Sequence, residues 1–162
     1  MTESTPRPSN KNNNKNKNKV VVFDLDETLG HFLVSRTIWD ALTHFLKYNH
    51  INYPLSELDF EKICEIFPEI FRPNLFEIMN IVKKAKQDKK CRGVYLYTNN
   101  RYDRSWSKMI VEYIDKMTAT DPDDPLTLFD RLVLAFKING VVQEPCRTSS
   151  YKRLTDFYNC CR

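Results

Sequence analysis

Glycine is scarce in this sequence, with 3 residues in a chain of 162. Phosphate-binding loops of the GxGxxG or GxxxxGK[ST] type need closely spaced glycines, and neither pattern occurs. Dinucleotide binding and P-loop nucleotide hydrolysis therefore have no support. Long apolar runs are also missing, because no stretch approaches the roughly 18 apolar residues of a membrane span. With no apolar leader at the N-terminus, we expect neither a signal peptide nor a membrane anchor.

The 5 cysteines follow no recognisable framework. Their number is odd, no CxxC pair occurs and two are adjacent, whereas disulfide frameworks and zinc sites use paired residues at fixed spacing. We therefore expect buried or incidental thiols and a reducing intracellular compartment, cytoplasmic or nuclear.

The net charge of +4 is concentrated in residues 1–19, where five basic residues accompany one acidic residue, and the rest of the chain is neutral. This Asn/Lys-rich segment has too little apolar surface to offset the entropy of ordering it, so it predicts a disordered tail. Such a tail is expected to touch anionic surfaces only weakly, and we expect no specific nucleic-acid partner. Residues 20–162 are then the length of one domain.

Strand and helix patterns alternate along this domain. An apolar, β-branched run predicts a strand buried on both faces at 20–23, and similar runs predict strands at 93–97 and 131–136. Helices are predicted around 38–46, from Ser56, from 72–74 with Pro73 in the first turn, over 103–117 and from 149–150, with a hairpin at Asn139-Gly140. This order predicts an α/β fold with a mostly parallel sheet, whose ligands bind beyond the carboxyl ends of the strands.

Two carboxylates follow the first predicted strand. In VVVFDLDETL, Asp24 and Asp26 are two residues apart and so lie on the same side of an extended chain. Their mutual repulsion favours a hard divalent cation, Mg²⁺, between them. One aspartate is then suited to attack phosphorus and the other to transfer protons, first to the leaving oxygen and then from water. The alternative is a solvated turn in which Asp26 or Thr28 caps the next helix.

The same decapeptide resembles motif I of the haloacid dehalogenase (HAD) superfamily, in the form found in the NLI-interacting-factor-like, RNA polymerase II carboxy-terminal-domain phosphatase group. Segments 71–78 (FRPNLFEI), 94–100 (VYLYTNN) and 151–156 (YKRLTD) resemble that group's RP-helix, motif II and motif III region. The resemblance implies a HAD-like Rossmannoid three-layer fold, to which the helical pattern of residues 31–70 adds a predicted helical insertion after the first strand. It also implies a Mg²⁺-dependent phosphatase that acts through an aspartyl-phosphate, with a phosphoserine or phosphothreonine protein as the favoured substrate.

Catalytic roles follow from the resemblance residue by residue. Asp24 is the expected nucleophile and a Mg²⁺ ligand. Asp26 is the expected general acid and base, and ligates Mg²⁺ through its backbone carbonyl. Thr98 is expected to hydrogen-bond a phosphate oxygen, and Lys152 to neutralise charge on the nucleophile and the phosphate. Thr98 as a helix cap and Lys152 as a plain surface lysine are the alternatives.

Substrate-binding roles are assigned to Thr28, which would support the loop after the first strand, and to Asn99 and Arg147. Lys137 and Arg147 compete with Lys152 for the cationic role.

Two features depart from the family pattern. The family completes its metal site with an acidic pair after a later strand, and none follows Lys152, so we expect an incomplete domain with an open sheet edge. Asp156 is the only late carboxylate; Asp123-Asp124 is the alternative acidic pair, but it lies in a Pro-flanked loop before Lys152 and follows no predicted strand. The predicted helical insertion or cap at 31–70 is longer and more helical than the short hairpin-like insertion of the family; a helical cap would suit a small phosphoester, whereas an open groove would suit a phosphopeptide. The alternative function is a catalytically impaired phosphate-binding or protein-interaction module.

Overall fold

The computed structural model describes residues 19–102, 104–119, 121 and 126–160. Most of the predicted tail and the Asp123-Asp124 pair lie outside these residues. The elements in chain order are β1 (Val20–Phe23), α1 (Phe32–Tyr48), α2 (Glu57–Ile66), α3 (Leu75–Gln87), β2 (Gly93–Tyr97), α4 (Arg104–Met117), β3 (Arg131–Val133), β4 (Lys137–Ile138), β5 (Val141–Val142) and α5 (Leu154–Cys160). A 3₁₀ turn, Pro68–Ile70, precedes α3, and the segment 31–70 contains this turn with α1 and α2.

The main sheet has three parallel strands in the order β1-β2-β3. The α/β prediction with a parallel sheet is therefore confirmed. β2 lies in the centre and is buried along its whole length, as expected for a strand with two neighbours and covered faces. β4 and β5 form a separate antiparallel hairpin, as predicted, with Asn139 and Gly140 at φ +49° and +82° in its turn.

The prediction that β1 is buried on both faces is wrong. Within the described part of the chain β1 pairs with β2 alone, so it forms one edge of the sheet. Phe157 of α5 packs on the rings of Tyr95 and Tyr97 in β2, whereas Val20 and Val22 on the same face stay 41% and 38% exposed. One neighbouring strand and one short helix do not cover β1.

Helices α3 and α4 pack on one face of the sheet, whereas α5 packs on the other face. On one face, Val94 and Leu96 join a large core with buried residues of α3 and α4, among them Met79, Trp106 and Ile110. Burying a side chain of this size stabilises the fold by about 1.5–3 kcal/mol. On the other face, Phe157 of α5 packs on Tyr95 and Tyr97, and Tyr97 belongs to a much smaller cluster with Val133, Cys146 and Cys160.

Helix starts agree with the sequence where a side chain caps them. Asp59 accepts hydrogen bonds of 2.9 and 2.8 Å from the backbone N–H and the hydroxyl of Ser56, so α2 begins as predicted. Pro73 precedes α3 rather than lying in its first turn, because Asn74 adopts a left-handed conformation before Leu75.

Two other predicted bounds are also wrong. β3 ends at Val133, short of the predicted 136. α5 begins at Leu154 rather than 149–150, because residues 149–151 form bends and the Arg153 N–H donates to the Tyr97 hydroxyl at 3.0 Å.

The cysteine prediction is wrong for one pair. Cys146 and Cys160 form a disulfide that joins the segment before α5 to the end of that helix. Their separation of 14 residues matches no short spacing motif, which is why the sequence did not reveal the pair. Cys64 and Cys91 are free and buried, as expected. None of the helices in the described ranges is long and apolar enough to cross a membrane.

Candidate active site

The candidate site lies at the carboxyl ends of β1 and β2. Asp24 follows β1 directly and Thr98 follows β2 directly. The parallel register places Phe23 beside Leu96, so the residues after the two strands leave the sheet at the same edge. The backbone N–H of Thr98 donates to the Val133 carbonyl at 3.0 Å, which extends the β2–β3 pairing by one residue towards the site.

Asp24 pairs with Lys152 across this edge. The lysine Nζ lies 2.6 Å from Asp24 Oδ1, and the Leu25 backbone N–H donates to the same oxygen at 2.8 Å. Lys152 comes just before α5, with its Nζ 5.4 Å from the centre of the Tyr97 ring. Docking of α5 on β2 thus places a cation against the residue predicted to be the nucleophile. The structure brings together the two residues assigned to nucleophile and charge neutralisation.

Asp26 is oriented by an amide. Its Oδ2 accepts a hydrogen bond of 2.8 Å from Asn100 Nδ2. Burial raises the pKa of Asp26 above its ordinary value, the Asn100 hydrogen bond partly opposes this, and the neighbouring carboxylates of Asp24 and Glu27 raise it further. A raised pKa keeps the carboxyl protonated to higher pH, which suits a general acid.

Asn100 is the site residue that the sequence analysis missed. The Thr98 hydroxyl accepts a hydrogen bond of 2.9 Å from the Asn100 backbone N–H, two residues further along, and this turn aims the Asn100 side chain at Asp26. The sequence held one signal for this role, namely a threonine directly after a predicted strand with an asparagine two residues later. Thr98 is 1% exposed, and the next helix begins only at Arg104, so its hydroxyl supports a turn and not a helix cap.

Arg147 is buried behind the site, at 2% exposure. Its Nη1 donates to the carbonyls of Leu134 and Thr98 at 2.6 and 3.3 Å, and its Nη2 donates to Asn99 Oδ1 at 2.9 Å. Its Nε lies 3.5 Å from Asp156 Oδ2. The guanidinium therefore fixes the loop after β2 by donating hydrogen bonds to acceptors of the protein itself. The side-chain oxygen of Asn99 is one of these acceptors.

The loop that carries Asp26 is held by the segment before α3. Arg72 Nε donates to the Glu27 carbonyl at 2.9 Å, and Glu27 has a φ of +61°, in the left-handed region. Gly30 bridges to both Asp26 and Phe71, and a Cβ at position 30 would collide with the Ile70 carbonyl. The loop is therefore fixed by close backbone contacts that only glycine permits at this position.

Two further predicted residues lie at the surface. Thr28 is exposed in the turn between Asp26 and Gly30, where the contacts that fix the loop come from Arg72 and the backbone. Lys137, a rival for the cationic role, is exposed in β4 with its Nζ 5.2 Å from the centre of the Phe136 ring.

The oxygen ligands at the carboxyl ends of β1 and β2 fit Mg²⁺. Lys152 and the Leu25 N–H contact Asp24 through Oδ1, so among the described residues the second oxygen of Asp24 is left for a cation, to which Asp26 would add its backbone carbonyl. A carboxylate and a carbonyl oxygen completed by waters or phosphate oxygens form a usual Mg²⁺ environment.

A second cluster of metal-type ligands does not compete with this pair. Within the described ranges, the one group of three such ligands is Glu144, Cys146 and Cys160. Its two sulfur atoms are joined in the disulfide, so it does not offer a thiolate site.

Comparisons with known proteins add no relative, since no family model, no curated protein and no solved structure matches the chain.

Proposed function

We propose that this chain is a HAD-type, Mg²⁺-dependent phosphatase that hydrolyses a phosphomonoester through an aspartyl-phosphate on Asp24. The contact between Asp24 Oδ1 and Lys152 Nζ, at 2.6 Å, carries the proposal. A cation so placed stabilises the charge on the attacking carboxylate and on the phosphoryl oxygens that approach it.

The residues divide the reaction between them. Asp24 attacks phosphorus, the bond to the leaving oxygen breaks, and Asp26 delivers its proton to that oxygen. Asp26 then takes a proton from the water that attacks the acyl-phosphate, which releases inorganic phosphate and restores Asp24. Asn100 holds Asp26 in one orientation during both proton transfers. Bound Mg²⁺ would supply charge neutralisation for the phosphoryl oxygens, held by the carboxylate of Asp24 and the backbone carbonyl of Asp26.

Several features agree with this proposal beyond the Lys152 contact. The α/β fold has a parallel sheet, the two aspartates follow β1, and Thr98 follows the neighbouring strand β2. The resemblance in four segments of the sequence suggests the HAD superfamily and a phosphoserine or phosphothreonine protein as substrate, with a small phosphoester as the other candidate.

An assay with a generic aryl phosphate tests the proposal directly. The wild-type chain should release phosphate in the presence of Mg²⁺, lose that activity on chelation, and lose it in Asp24→Asn. Asp88→Asn is the matched control, because Asp88 is an aspartate paired with a lysine, Lys90, at 2.8 Å on the surface outside the site.

The outcomes separate two functions. Activity that depends on Asp24 and Mg²⁺ supports a phosphatase. Background rates alike in wild type and Asp24→Asn would refute it, and binding of inorganic phosphate by that inactive wild type would favour the phosphate-binding module instead.

A further inference from the structure

The position of Lys152 depends on α5, a helix of 7 residues that begins two residues after the lysine. A helix this short is unstable by itself, so it depends on what it packs against. Leu154, Thr155, Tyr158 and Asn159 are exposed, and the helix contacts the sheet mainly through Asp156, Phe157 and Cys160.

Three attachments hold α5 against the sheet. Phe157 packs edge-on against the ring of Tyr97 with 5.0 Å between centres. The Tyr97 hydroxyl donates to Asp156, whose Oδ2 also faces the Arg147 guanidinium. The third attachment is covalent: Cys160, the last residue of the helix, is bonded to Cys146.

The surroundings of Cys146 accommodate both oxidation states. Its Sγ lies 3.0 Å from Glu144 Oε1 and 3.8 Å from Arg131 Nη2. Once reduced, a Cys146 thiol has the Glu144 carboxylate as an acceptor, whereas a thiolate has the Arg131 guanidinium as a counter-charge. Glu144 and Arg131 also pair with each other at 3.2 Å, so neither loses its partner when the disulfide opens.

We infer that the Cys146–Cys160 disulfide is a redox control of the phosphatase site, which keeps Lys152 against Asp24 when oxidised and releases α5 when reduced. This inference rests on the proposed function and names how that site is regulated. The control acts at a distance from the chemistry, because the disulfide is at the far end of α5 from Lys152.

The step is a thiol–disulfide exchange with a dithiol reductant. A thiolate of the reductant attacks the Sγ of Cys146, which is the less buried of the two residues, and Cys160 leaves as a thiolate that takes up a proton. The second thiolate of the reductant attacks its own sulfur in the mixed disulfide and releases Cys146, which is protonated in turn. Two electrons and two protons pass to the protein, and the reductant becomes a disulfide.

The test compares the full chain before and after treatment with dithiothreitol, using two readouts. Hydrogen exchange of the peptide 151–160 reports on α5 without reference to activity, and should become faster on reduction. The kcat/KM for an aryl phosphate should fall by about threefold or more, because activity follows the fraction of molecules with Lys152 in place. Reoxidation should restore both.

Variants assign the effect to this pair. Cys160→Ser should have the kcat/KM of the reduced protein and should not respond to dithiothreitol. Cys91→Ser, which removes a free buried thiol, and Cys161→Ser, which removes the neighbouring cysteine, should respond like the wild type.

Two results would overturn the inference. One is exchange in the peptide 151–160 that is unchanged by reduction, and the other is an active enzyme whose kcat/KM is equal in both states. A chain that shows no Asp24-dependent activity in either state would instead refute the proposed function, and the exchange measurement would still decide whether the disulfide anchors α5.

Discussion

Replacing Lys152 by methionine removes the cation at the candidate site and keeps most of the side-chain volume. The side chains of Lys152 and Asp24 are 33% and 45% exposed, so their ion pair is well solvated. Exposed pairs of this kind contribute about 0.2–1 kcal/mol to the free energy of unfolding. For a domain of this size each kcal/mol shifts Tm by about 2–4 °C, so Lys152→Met should lower Tm by no more than about 4 °C.

The expected effect on catalysis is much larger. Loss of one group aimed at the charge that develops in a transition state costs about 10²–10³ in kcat. Lys152→Met should therefore reduce kcat for an aryl phosphate by about two orders of magnitude. Parallel measurement of Tm and steady-state kinetics separates the loss of chemistry from the loss of fold.

Lys137→Met is the matched control, since Lys137 is an exposed lysine with no acidic partner among the described residues and is the other lysine that the sequence offers for the cationic role. It should leave kcat close to the wild-type value. A fall in kcat of less than about threefold in Lys152→Met would refute the argument, because a transition-state contact has to cost more than a solvated surface pair. So would equal losses in the two variants.

Three further predictions concern the site and its support. Asn100→Ala removes the hydrogen bond that opposes the upward pKa shift of Asp26, so the alkaline limb of the pH–kcat profile should move to higher pH and kcat should fall; an unmoved limb would contradict the assigned role. Tyr97→Phe leaves a buried carboxylate and a backbone N–H without their shared partner, which should lower the free energy of unfolding by about 1–3 kcal/mol in urea titrations. Met79→Ala opens a cavity in the main core and should cost about 2–5 kcal/mol, whereas Ile78→Ala on the exposed side of the same helix should cost well under half as much.

Local signals predicted most of the secondary structure. The alternation of apolar runs and helical stripes gave three strands in a parallel sheet, and the Ser56–Asp59 pair and the Asn139-Gly140 turn marked local features that the structure contains. Burial of β1 was predicted wrongly, because a continuous apolar run does not reveal how many strands and helices lie beside it.

The site was predictable where residues adjoin strand ends and unpredictable where long-range contacts decide. Asp24, Asp26 and Thr98 follow strands, so topology alone placed them together. Arg147 is buried and hydrogen-bonds to acceptors from three separate segments. The spacing of residues along the sequence does not predict which segments meet in this way. The Cys146–Cys160 disulfide depends likewise on where α5 docks.

The pairing of Asp24 with Lys152 also bears on the order in which the chain folds. Asp24 lies near the start of the described residues and Lys152 near their end, so their contact closes one of the longest loops in the domain. Non-local contacts of this kind form late, since loop-closure entropy opposes them until intervening elements are in place. During synthesis Asp24 emerges well before Lys152, so the charge of Asp24 is balanced by this lysine only after α5 has docked.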